Sequence, residues 1–235
     1  MTGNARSVDI QIGSTVHRHM LIDAVDGGRG PTVVILPDWY GRTASQEAFG
    51  HMLANQGHSA LCLDVYGDGR IAVNDSEAET LMTSLVEDRA GLTELVNELV
   101  DKSQAGGGLG RLSVIGFCFG GLCALDLART GKEFDLCASF HGLLDPHPSL
   151  TGQPIRSKVA VSHGWRDPFA GPSKLMQLAQ ELDRAGASWE FHCFGKAMHA
   201  FMMEHADPPD SGIAYDGSAA DSSWEILLSL LGPRP

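Results

Sequence analysis

Arg111-Leu112-Ser113-Val114-Ile115-Gly116-Phe117-Cys118-Phe119-Gly120-Gly121 is the stretch that decides the fold. A β-rich run ends at Gly116, a small-residue turn holds Cys118, and Leu122 to Ala128 then repeats apolar residues at helical spacing. Strand, tight turn and helix in immediate succession are the unit of a parallel α/β sheet. The pattern recurs in both directions. Thr32–Leu36, Ser59–Leu63, Leu136–Phe140, Lys158–Ser162 and Ser188–Phe194 are short apolar runs, each bounded by turn residues. Runs without polar alternation predict strands covered on both faces. Helical patterns lie between them, at Ala44–Gln56, Pro172–Arg184 and Ala219–Leu231. Ser76 and Glu79 have capping-box spacing and open one long apolar-periodic segment that reaches Val100, before a flexible Gly106-Gly107-Gly108 link. The first twenty-odd residues, with Val8 to Ile12, read as an antiparallel lead-in hairpin. The expected architecture is one α/β domain over residues 1–235, a mostly parallel doubly wound sheet with helices on both faces.

Composition removes several function classes. The formal net charge is −12 and no Lys/Arg cluster offsets it, which argues against nucleic acid or an anionic membrane as partner. The most apolar stretch, Val114–Leu125, contains glycines and is too short to span a bilayer. Met1–Ile10 has no secretory pattern. The five cysteines (Cys62, Cys118, Cys123, Cys137, Cys193) form neither CxxC nor zinc-finger spacing. They read as reduced thiols in a cytoplasmic protein, with all but Cys118 buried in the core.

Cys118 sits where a nucleophile elbow would place it, between a strand end and a helix start. The flanking glycines allow close strand–helix approach, the helix N-terminus favours the thiolate, and the Phe119 amide would face a developing oxyanion. Partners follow from chain order and strand ends. Asp167 lies on the loop after Lys158–Ser162, and His199 on the loop after Ser188–Phe194. His199 would pair with the Cys118 thiol and Asp167 would fix the imidazole tautomer. The alternative for Asp167, before Pro168, is a turn or helix-entry residue. His192 lies inside a strand, His163 precedes the acid, and His205 lies in the acidic loop Glu204–Asp210. His141, ending another strand, could line the pocket.

These residues resemble the dienelactone hydrolase family of α/β-hydrolases over nearly the whole chain. Gly116–Gly121 is similar to its elbow, His163-Gly164-Trp165-Arg166-Asp167 to its acid loop and Met198-His199-Ala200-Phe201 to its histidine loop. Phe140-His141-Gly142 resembles its strand end before the acid, and Tyr215–Trp224 the start of its last helix. The resemblance implies an α/β-hydrolase fold and a Cys118-His199-Asp167 triad without cofactor or metal. It also implies a second oxyanion donor at the Trp39 amide and Asp38 in place of a family Glu. Tyr40 shares that loop as a candidate substrate or gating residue. The arginines that hold a substrate carboxylate in dienelactone-cleaving members are not matched: Met202, Met203 and Glu204 follow His199. Arg42 and Arg70 are displaced candidates, each with a salt bridge as the alternative.

A cysteine nucleophile narrows the reaction. Its thiolate, with a reference pKa of about 8.5, leaves a tetrahedral intermediate more readily than an alkoxide does. Productive acylation therefore needs an enolate, phenolate or thiolate leaving group. The reading is a small-molecule hydrolase, a monomer or small homo-oligomer, acting on an enol-lactone or other activated ester. Alternatives are a thioesterase or aryl esterase, a non-catalytic ligand-binding module on the same fold, and a redox sensor at Cys118.

Overall fold

A computed structural model describes residues 3–28, 30–107, 109–150, 152–206 and 211–232. Eight strands follow the order β1-β2-β4-β3-β5-β6-β7-β8, mostly parallel, as in the α/β-hydrolase architecture expected. The chain falls into two compact units, Met1–Val114 with Leu231–Pro235, and Ile115–Leu230.

In the first unit, β1 (Ala5–Ile12) and β2 (Thr15–Ile22) form the antiparallel lead-in, from Ala5↔Ile22 to Ile12↔Thr15. The β2 strand runs antiparallel to β4 (Ala60–Cys62), which is parallel to β3 (Thr32–Leu36). Every residue of β3 and β4 is buried, which explains their unbroken apolar runs. Helix α1 spans Ala44–Asn55.

The expected long helix is two helices, α2 (Asp75–Val86) and α3 (Arg89–Gly107). Ser76 does not cap the first. Asn74 does, its side chain accepting from the Glu77 amide at 3.0 Å, while Glu77 itself accepts from the Val73 amide. Asp88 starts the second helix by accepting from the Gly91 amide at 3.0 Å, so a local side-chain acceptor overrides a continuous apolar stripe. Gly106 and Gly107 belong to α3 rather than to a link, and Gly108 lies outside the described residues.

The second unit carries the end of β5 (Leu112–Phe117), α4 (Phe119–Arg129), β6 (Leu136–Phe140), β7 (Lys158–Gly164), α5 (Pro172–Arg184), β8 (Ser188–Phe194) and α6 (Gly217–Leu231). The β6, β7 and β8 strands pair in parallel, from Leu136↔Lys158 and Lys158↔Ser188. Helix α4 is buried along its whole length. It therefore encloses an ion network that its apolar pattern concealed: Arg129 bonds Asp126 at 2.8 Å and Glu181 at 2.7 and 2.9 Å. Burial opposes the Arg129 charge, but the Glu181 and Asp126 carboxylates more than offset it.

Strand β8 departs from expectation. It ends the sheet order and none of its residues is buried. Cys193, expected in the core, is exposed. The polar residues Glu190 and His192, 3.1 Å apart, already break the apolar run. Cys62, Cys123 and Cys137 are buried, and burial pushes the Cys137 thiol up to about 12. Among the described residues, no helix is long and apolar enough to cross a membrane.

Candidate active site

The β5–α4 turn explains why Cys118 stands where it does. Its backbone adopts φ 52°, ψ −113°, a conformation L-residues avoid. Gly116 permits it, because a Cβ there would come within 2.0 Å of the Gly120 carbonyl oxygen. The Cys118 amide donates to the Phe140 carbonyl at 3.1 Å, and the Cys118 carbonyl accepts from the Gly121 and Leu122 amides. These bonds fix the strained turn from both sides and leave the thiol half-buried at the head of α4.

The structure brings Cys118, His199 and Asp167 together. His199 Nε2 lies 3.1 Å from Cys118 Sγ, and His199 Nδ1 lies 2.7 Å from Asp167 Oδ2. His199 is fastened through its own backbone, its amide donating to Gly212 O and its carbonyl accepting from the Ala214 amide. Burial lowers the His199 pKa, but Cys118 and Asp167 overcome it and carry the ring up to about 10. The imidazole is thus held protonated at neutral pH, with one N–H aimed at sulfur and the other at the carboxylate.

Asp167 serves both roles that its sequence position allowed. While Oδ2 faces His199, Oδ1 accepts from the Phe169 amide at 2.8 Å and the Ala170 amide at 3.2 Å. One buried carboxylate therefore closes a turn and orients the imidazole.

The loop after β3 belongs to the first unit. Asp38 Oδ1 accepts from the Tyr40 amide at 2.8 Å, and the Trp39 carbonyl accepts from Tyr66 Oη at 2.8 Å. Tyr40 Oη donates to Asp75, which pushes the phenol up to about 12. Each candidate anchor arginine is taken by a glutamate: Arg42 by Glu47, and Arg70 by Glu77 at 2.7 Å. The loop bearing Arg70 is fixed by Asp64, whose carboxylate accepts from the amides of Arg18, Gly67 and Gly69.

Residues 19–234 match the sequence profile of the dienelactone hydrolase family. The chain belongs to the dienelactone hydrolase family. Membership makes it a hydrolase of ester or lactone bonds. It is 30% identical to carboxymethylenebutenolidase 2 of Cupriavidus pinatubonensis, over 77% of each chain. It is 26% identical to a probable 2-oxo-3-(5-oxofuran-2-ylidene)propanoate lactonase of Bradyrhizobium sp, over 95% of this chain and 92% of the other. A solved structure of a dienelactone hydrolase-like promiscuous phosphotriesterase from metagenomic libraries superposes with a TM-score of 0.90, 29% identity and 98% of each chain covered.

Two histidines of this dienelactone hydrolase family member stand behind the site rather than in it. His141, a candidate pocket-lining residue, is 0% exposed. Its ring meets His199 in a T-shaped contact at 5.3 Å between centroids. Burial, then His199 and His163, hold its pKa well below the usual histidine value. Its backbone takes φ 39° and neither ring nitrogen has a hydrogen-bond partner, so it is costly on two counts. His163 Nε2 donates to the Ala170 carbonyl at 2.7 Å and lies 3.8 Å from Asp167 Oδ2. It supports the acid loop from below. Phe169 was not singled out by sequence reasoning, although Asp167-Pro168 signals a turn whose third residue is pinned. Its ring packs edge-to-face on His199 at 4.9 Å. Among the described residues, no group of three or more His, Cys, Asp or Glu side chains is arranged to hold a metal ion.

Proposed function

We propose that Cys118 is the nucleophile of an activated-ester hydrolase, with His199 as its proton partner and Asp167 as the residue that orients His199. The observation that carries this is the unbroken line from Cys118 Sγ through His199 to a buried Asp167 carboxylate, 3.1 and 2.7 Å, starting on a strained turn. The thiolate attacks the acyl carbon, and the amide of Phe119, next to Cys118 at the head of α4, is the proposed donor to the oxyanion. Collapse breaks the bond to the leaving group, which keeps the electron pair and takes the Nε2 proton of His199. The now neutral imidazole then draws a proton from water, whose oxygen attacks the acyl-cysteine and expels the thiolate.

Substrates are small activated acyl compounds: enol-lactones first, then aryl esters and thioesters. The names of the Cupriavidus and Bradyrhizobium relatives support the lactone. The engagement of Arg42 and Arg70 by glutamates supports a neutral substrate over one anchored by a carboxylate. Five cysteines, none of them in a disulfide, support a reducing, cytoplasmic setting, and nothing in the proposed line of groups requires more than one copy of the chain.

Intact-protein mass spectrometry after mixing with 4-nitrophenyl acetate tests the reading. One acetyl group is expected on wild type at Cys118, and none there in Cys118→Ala. Turnover by Cys118→Ala at the wild-type rate would sink it.

A further inference from the structure

The leaving group must end its journey beside His199 Nε2, because that nitrogen holds the proton it needs. Besides Cys118, three side chains among the described residues pack around this imidazole. Asp167 is 2% exposed and bonded to Nδ1, and His141 is 0% exposed. Phe169 is 45% exposed. Of the three, Phe169 alone offers open surface to an incoming molecule. Its backbone is tied to the same carboxylate that orients His199, and its ring packs edge-to-face on that imidazole. The Asp167 carboxylate that orients His199 binds the Phe169 amide at 2.8 Å, so ring and imidazole are set by one group.

We propose that Phe169 is the wall against which the leaving group stacks, and that it makes this enzyme prefer flat, conjugated leaving groups over saturated ones of equal basicity. The inference rests on Cys118 as nucleophile but adds a discrimination that thiolate chemistry does not supply. Leaving-group basicity alone treats a phenolate and a fluorinated alkoxide alike. An exposed aromatic face does not, since offset or edge-to-face ring contacts add to simple apolar burial. Phenolates and the enolate side of an enol-lactone are planar and can use that face. A saturated leaving group offers no ring and no conjugated plane to it.

Paired kinetics test the idea with phenyl acetate and hexafluoroisopropyl acetate, which share an acyl group and have leaving groups of similar basicity. Phe169→Ala should lower kcat/KM for phenyl acetate about tenfold more than for the fluoroalkyl ester, a difference of roughly 1.4 kcal/mol. Phe169→Tyr should restore the aryl preference and Phe169→Leu should not. Equal losses on both esters would overturn the proposal and leave Phe169 as a brace for His199. A second measurement needs no turnover. Excess phenol should slow alkylation of Cys118 by iodoacetamide in wild type and not in Phe169→Ala. Equal protection in both would overturn the proposal too. Protection that depends on Phe169 without any acylation of Cys118 would keep the aryl site and discard the nucleophile.

Discussion

Asp167→Asn separates the two duties of one carboxylate. Its Oδ1 accepts from the Phe169 and Ala170 amides, and Oδ2 faces His199 Nδ1 at 2.7 Å. The asparagine carbonyl can keep the first set of bonds. Its amide group then faces Nδ1 as a donor, which forces the opposite tautomer and removes the charge that holds the imidazolium. The rise of His199 from 6.5 to about 10 corresponds to roughly 5 kcal/mol of preference for the charged ring, shared between Cys118 and Asp167. Loss of the Asp167 share together with the wrong tautomer should slow acylation ~10³- to 10⁴-fold, the scale seen when a triad acid is amidated. Stability should fall by only about 1 kcal/mol, a few degrees in Tm for a chain of this size, because the turn keeps its acceptor. Stopped-flow release of 4-nitrophenolate reads the first quantity, and thermal unfolding reads the second. Acylation by Asp167→Asn within tenfold of wild type would refute the reasoning.

Two further outcomes follow from the charges. A His199 pKa raised above its unfolded value stabilises the native state fully below about pH 6.5, and the contribution is lost as pH rises through about 10. The stability gap between wild type and His199→Gln, from urea unfolding, should therefore narrow from pH 6.5 to 10; a gap independent of pH would contradict the imidazolium. Arg129→Leu removes the buried cation that bridges Asp126 and Glu181 and should cost about 3–5 kcal/mol. The double change Asp126→Asn with Arg129→Leu should recover part of that loss, and equal instability of the two would show that charge is not the cause.

Where burial is uniform, composition reveals structure. The predicted limits of β3 and β6 coincide with the observed ones, because short apolar runs between turn residues have few alternatives. The limits of β8 and α5 coincide as well, set by flanking turn residues and by Pro172. The elbow was equally legible, since glycines flanking Cys118 have a steric reason to be there. What escaped depended on three-dimensional partners. The break between α2 and α3 turns on the Asp88 side chain choosing a backbone amide. The exposure of Cys193 depends on β8 being last in the sheet. Burial of His141 behind His199 depends on an edge contact between residues 58 positions apart, which no local pattern encodes. Arg129 is polar in a wholly buried helix and became intelligible only with Glu181 beside it.

The glutamates on Arg42 and Arg70 also bear on how a catalytic cycle would finish. Hydrolysis of a neutral ester or lactone creates a carboxylate that the substrate lacked. In a chain with net charge −12, whose two candidate anchor arginines are already engaged by Glu47 and Glu77, that new anion gains no arginine partner of its own. The reaction would thus give the protein no added affinity for what it has made. Clearance of the acid then meets no arginine clamp, and accumulating product should compete weakly with fresh substrate.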